Sequence, residues 1–184
     1  MKNSRITAIA EEKLCRLLGN PKSVFTRTFD PADFLGKGWA TWKGPLNGDG
    51  LSGEEDVDSR SLALTEIELA KFLFETCILA GEEAITGEEK LRRLKERPEF
   101  IRCGGSVFYA LWLDYEANKE NSILEWLDRN FQVTSLDFMG QILRSPSDLR
   151  YVLCLCRDDY YGEWGWHYDW LGYLWGARNF SVGC

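Results

Sequence analysis

Trp164, Trp166, Tyr168 and Trp170 occupy every second position of one short run, with Gly165, His167 and Asp169 between them. On a helix the four aromatics would scatter around the cylinder. On a strand they share one face, because successive side chains point to opposite sides. Glu163 to Leu171 is therefore expected to be a strand with an aromatic face and a more polar one. A strand needs neighbours, so this part of the chain must hold a sheet.

The neighbours are visible just upstream. Thr134 to Phe138, Gln141 to Arg144 and Arg150 to Cys156 also read as strands. Ser145-Pro146-Ser147-Asp148 and Asp158-Asp159-Tyr160-Tyr161-Gly162 supply the turns between the last three. Earlier in the chain the apolar period is three to four, the period of a helix. Residues 4–18 fit an amphipathic helix stopped by Gly19-Asn20-Pro21. Asp30 to Leu35 fits one helical turn with Pro31 at its first position. Thr86 and Glu89 form a capping box for a helix that carries Leu91 and Leu94 and ends by Pro98. Ser106 and Ser122 start two more, bearing Phe108, Leu111 and Tyr115 on one and Leu124 and Leu127 on the other. Val24 to Phe29 and Trp39 to Trp42 are short and β-prone.

Residues 65–80 fit two patterns. Leu69, Phe72, Leu73 and Cys77 line a helical face, whereas Phe72, Phe74 and Thr76 alternate as in a strand. Thr65 followed by Glu68 makes a capping box, which tips the reading to helix. The expected fold is α+β: several short helices followed by a C-terminal antiparallel β-meander over 134–175. It is expected to form a single domain over 1–184, with an N-terminal helix in 1–20 and an acidic loop at 43–60. With 184 residues, such a chain can bury roughly 70% of its unfolded surface without help from disulfides or metal.

The net charge is −7, with 22 Lys and Arg against 29 Asp and Glu, and the cations do not cluster. That argues against direct binding to nucleic acid, which needs grouped cations to replace counterions. It suits a basic partner. No run is long enough to cross a bilayer, and the N-terminus lacks the apolar core of a signal peptide, so a cytoplasmic location is expected. The six cysteines are then reduced. They form no CxxC pair, and no cofactor or metal is expected.

Several groups carry weaker chemical signals. Trp164, Trp166, Tyr168 and Trp170 could be a stacking or contact platform if exposed; a period-two apolar face is ordinarily the buried one. His167 is the only histidine. Any imidazole base must therefore be His167, with Asp169 placed to orient it and Cys154 or Cys156 on the adjacent strand. Asp158 and Glu163 flank the aromatics as a paired-carboxylate candidate. In the loop, Asn47, Asp49 and Asp56 fall on calcium-ligand positions around Gly50, although Pro45 stands where the first ligand belongs. An acidic solvated turn is the ordinary reading of such a loop.

Other segments carry a likeness. They are Phe29-Asp30-Pro31-Ala32, Gly36-Lys37-Gly38-Trp39, Gly48-Asp49-Gly50-Leu51-Ser52-Gly53, Leu62-Ala63-Leu64-Thr65-Glu66 and Gly87-Glu88-Glu89-Lys90-Leu91. Leu143-Arg144, Arg150-Tyr151-Val152-Leu153-Cys154-Leu155 and Trp164-Gly165-Trp166 complete the set. Together, over residues 29–175, the chain resembles an abundant group of short, uncharacterised bacterial proteins, largely from uncultured lineages. The resemblance implies a bacterial, single-domain, cytoplasmic protein and carries over no activity, cofactor or catalytic residue.

Three functions compete. The first is a non-enzymatic protein-binding module with the aromatic and acidic C-terminal half as its contact surface, since Trp and Tyr are enriched at binding hot spots. The second is an acidic inhibitor that mimics nucleic acid toward a nuclease or defence enzyme. The third is a small hydrolase using His167 or the Asp158/Glu163 pair.

Overall fold

The computed structural model describes residues 22–24, 29–64, 66–68 and 71–184. The helix expected within 1–20 lies outside these residues. The described helices are α1 (Pro31–Leu35), α2 (Ser59–Leu62), α3 (Gly87–Lys95), α4 (Gly105–Ala117) and α5 (Ile123–Phe131). The described strands are β1 (Lys22–Val24), β2 (Ala40–Thr41), β3 (Glu66–Glu68), β4 (Leu73–Glu75), β5 (Ala84–Thr86), β6 (Ser135–Asp137), β7 (Leu143–Arg144), β8 (Arg150–Arg157), β9 (Trp164–Trp170), β10 (Leu174–Gly176) and β11 (Phe180–Gly183). The fold is α+β, as the sequence patterns predict.

The caps behave as their residue types require. Asp30 accepts from the amide of Ala32 at the start of α1, Thr86 from that of Glu89 at α3, and Ser122 from that of Glu125 at α5. Each satisfies an amide that has no partner within the first helical turn. Gln132 closes α5 in the left-handed conformation.

Two expectations are corrected. Among its described residues the segment 65–80 holds no α-helix; it contributes strands Glu66–Glu68 and Leu73–Glu75. The alternation at Phe72 to Thr76 prevailed over the capping box because β4 pairs with β11, Phe74 lying opposite Val182 in the core. The sheet is also mixed rather than a pure antiparallel meander. Strand β11 returns alongside β6 in parallel, Phe180 opposite Leu136 and Ser181 opposite Asp137.

The central strand is β8. Strand β9 pairs with it from Tyr151 to Arg157. The opposite edge of β8 is shared end to end by β7, at Arg150–Tyr151, and β6, at Cys154–Cys156. Beyond β7 lies β2, and beyond β6 lie β11 and β4. Among the described residues β9 has no strand on its outer side, so it is an edge strand of the sheet, as β2 and β4 are.

Each sheet face has its own core. On one, Leu136, Leu153, Leu155, Trp164 and Val182 meet Phe108, Leu111 and Tyr115 of α4 and Leu124 and Leu127 of α5. On the other, Val152 and Cys154 join Leu91 and Leu94 of α3 with Trp42, Phe100, Met139, Ile142, Leu171 and Trp175. At about 1.5–3 kcal/mol for each large apolar side chain buried, these two layers supply the main drive to fold.

Candidate functional site

Strand β9 presents different chemistry on its two faces. On the α4/α5 side the stripe grades from core to surface. Trp164 is 3% exposed and Trp166 39%, while Tyr168 is 44% exposed. Trp164 sits in the core, its amide donating to Tyr115 Oη at 3.0 Å. Trp166 meets the ring of Phe34 at 4.7 Å, and Tyr168 meets Trp39 at 4.7 Å and Tyr151 at 5.4 Å. Trp170 is half-buried against Tyr173 at 5.1 Å. Among the described residues, α1 and the segment that leads from it to β2 cover this end of the stripe in part.

On the opposite face, strand register lines up a rank of polar groups across four strands. Ser181 lies opposite Asp137, Asp137 opposite Cys154, and Cys154 opposite His167. Ser181, Asp137 and Cys154 are fully buried, and His167 at the sheet edge is half-buried. Lys90 of α3 reaches down onto this rank. Its Nζ donates to Asp137 Oδ2 at 2.5 Å and to the Asn179 carbonyl at 2.7 Å, and lies 5.2 Å from the Trp175 ring. Both side chains of the ion pair are wholly buried. Burial pushes the Asp137 carboxyl up, and Lys90 opposes that shift.

Around His167 the groups close up further. Its Nε2 is 3.3 Å from Asp169 Oδ2 and 3.8 Å from Cys156 Sγ. Cys154, His167 and Asp169 each place a ligand atom within 4.8 Å of the others. The Cys154 sulfur lies 3.9 Å from Asp137 Oδ1. Burial, reinforced by the charges of Asp137 and Asp169, holds its thiol well above the ordinary range. The hydrogen bond to Asp169, and then that to Cys156, pushes the His167 imidazole up to about 10.

These distances decide what the imidazole can do. A nucleophile–base–orienter relay needs the thiol on one ring nitrogen and the carboxylate on the other. Here both converge on Nε2. A ring titrating near 10 also holds its proton at neutral pH, whereas a general base must be free to accept one.

His167 and Cys156 open onto a cleft of about 530 Å³ that Asp158, Asp159, Tyr161, Glu163 and Trp166 also line. The three residues weighed as catalytic, His167, Asp158 and Glu163, thus meet at one cleft. Two of them already have structural work there. Asp158 Oδ1 accepts from the amides of Tyr160 and Tyr161, at 2.8 and 2.7 Å, and so builds the β8–β9 turn. Glu163 is exposed and lies 3.6 Å from Lys119 Nζ. Arg157 lines the cleft as well, so its three carboxylates outnumber its cations narrowly, and exposed Tyr161 adds to its aromatic wall.

The residues weighed for calcium are dispersed in role. Asp49 Oδ1 accepts from the Leu51 amide at 2.9 Å, and Asn47 is exposed. Asp56 is buried, with Oδ1 2.7 Å from Lys95 Nζ and Oδ2 2.8 Å from an Arg150 nitrogen. Both of its oxygens already serve cations.

Lys90 and Asp137 carried no functional signal in the sequence. Asp137 stands in an apolar strand, and only the placement of α3 over β6 reveals its partner. Comparisons with protein-family models, with curated proteins and with solved structures find no match. Among the described residues, no helix is long and apolar enough to cross a membrane.

Proposed function

We propose that this chain is a cytoplasmic, non-enzymatic protein-binding module that takes an extended, basic segment of its partner along β9. The observation that carries the reading is the position of β9: a seven-residue strand at the sheet edge, with Trp166 and Tyr168 exposed beside an acidic cleft. An unpaired strand edge offers a row of amides and carbonyls for an added strand. Trp and Tyr beside it supply large contact area at low entropic cost. Asp158, Asp159 and Glu163 at the cleft favour a cationic segment.

A catalytic reading is less well supported, because His167 is held protonated and Asp158 is tied into its turn. Mimicry of nucleic acid needs one continuous negative face, and on α3 Arg92 and Arg93 sit among the glutamates that they pair with.

The test compares wild-type protein with a Trp166→Ala/Tyr168→Ala variant as bait. One stoichiometric partner, held by the wild type at low salt, shed at high salt and lost from an equally stable variant, is the expected result. Equal retention by both baits, or no partner at all, overturns the proposal.

A further inference from the structure

We propose that Cys154, His167 and Asp169 bind a divalent transition-metal ion of the zinc type through three protein ligands, with the fourth position open. The backbone pre-sets the triangle. Cys154 and His167 are directly opposed in the β8–β9 pair, and His167 and Asp169 stand two residues apart on the same face of β9. Zinc bonds of about 2.0–2.1 Å to nitrogen and oxygen, held at a tetrahedral angle, put those two atoms roughly 3.3–3.4 Å apart. His167 Nε2 and Asp169 Oδ2 are 3.3 Å apart. The ligand atoms of all three residues lie within 4.8 Å of one another, so rotamer adjustment of the cysteine completes the set.

The donor types select the ion. Thiolate, imidazole and carboxylate together suit Zn²⁺ or Co²⁺, whereas Ca²⁺ and Mg²⁺ take oxygen shells. Binding exchanges protons for metal without redox change: the Cys154 S–H bond breaks, a sulfur–metal bond forms, and the proton leaves to solvent. The His167 ring likewise releases its Nε2 proton as that nitrogen takes the ion. The thiolate and the Asp169 carboxylate then balance the two positive charges. Asp137, 3.9 Å from the Cys154 sulfur, opposes the thiolate, and Lys90, whose Nζ lies 2.5 Å from Asp137 Oδ2, offsets that opposition in part. Of the three ligands, His167 is the one that lines the cleft of about 530 Å³.

Cys156 stands beside the site. Its sulfur is 3.8 Å from His167 Nε2 and 3.0 Å from Ser135 Oγ, yet it falls outside the group of three. The experiment titrates chelator-treated, reduced wild-type protein with Co²⁺ and reads the visible d–d bands and the near-ultraviolet thiolate-to-cobalt band. One equivalent per chain is expected to develop both. Cys154→Ser removes the thiolate band. His167→Ala and Asp169→Asn each weaken binding at least about tenfold, since even losing an outer-shell partner of a metal ligand costs 10–100-fold. Cys184→Ser leaves the thiolate band in place. X-ray absorption of the zinc-loaded wild type, which needs no variant to fold, is expected to show one sulfur with nitrogen and oxygen neighbours. The absence of a thiolate band at one equivalent, its survival in Cys154→Ser, or a shell with no sulfur or more than one overturns the proposal.

Discussion

Lys90 and Asp137 form a salt bridge whose two side chains are fully excluded from solvent, Nζ lying 2.5 Å from Oδ2. Such a pair offsets its desolvation only while both partners are present. Lys90→Met leaves a carboxylate alone between α3 and β6, and is expected to destabilise the protein by about 3–5 kcal/mol. Replacing both partners, as in Lys90→Met with Asp137→Leu, recovers most of that loss. Denaturant unfolding of the two single variants and the double variant checks this, and purely additive losses would refute it.

The graded burial along β9 makes neighbouring tryptophans behave differently. Trp164→Ala empties a core site and is expected to cost about 3–5 kcal/mol. Trp166→Ala removes a ring that is 39% exposed, and is expected to cost less than about 1.5 kcal/mol. Equal losses in thermal or denaturant unfolding would show that the stripe is uniformly core.

Gly50 is held at φ +74°, and a Cβ there would lie 2.6 Å from Cε3 of Trp42 and 2.9 Å from Cδ of Arg144. Trp42 is itself pinned, its Nε1 donating to the carbonyls of Gly44 and Pro45 at 3.2 Å each. Gly50→Ala therefore meets both backbone strain and overpacking, and is expected to cost about 2–4 kcal/mol. Gly36→Ala, where a Cβ meets no atom within 4 Å at φ +95°, carries the strain alone. A smaller loss is expected there.

Acid should weaken the tie between α3 and the turn before β5. Arg93 holds Glu82 at about 2, and Arg92 and then Arg93 hold Glu89 at about 2. Both values lie below the usual glutamate value of about 4.3 in an unfolded chain. The unfolded state therefore takes up protons first, and the stabilisation, complete above about pH 4.3, is lost as pH falls toward 2. Thermal midpoints measured across that window should fall, and Arg93→Gln should flatten the slope. An unchanged slope in the variant would assign the acid sensitivity elsewhere.

Local signals made α3, α5 and the β7–β9 strands legible, because a cap or an alternation lies within the segment that it specifies. At residues 65–80 local signals competed, and Phe74 was decided by Val182, a partner far along the chain that no local pattern could name. The parallel return of β11 was hidden for the same reason. Part of the site was readable: His167 and Asp169 share a face by alternation alone. That Cys154 rather than Cys156 lies opposite His167 depends on the strand register set by the turn at Asp158 to Gly162. Lys90 was hidden entirely, since its helix placement is a tertiary fact.

The place of β11 between β6 and β4 has a consequence for synthesis. The β8–β9 hairpin can close on the ribosome once residue 170 has emerged, because its contacts are nearby in sequence. The strand that bridges β6 to β4 is made later, so β4 must wait as an unpaired hydrophobic segment while more than a hundred residues are added. That order makes residues 180–183 the latch whose arrival turns a partly formed sheet into a finished one.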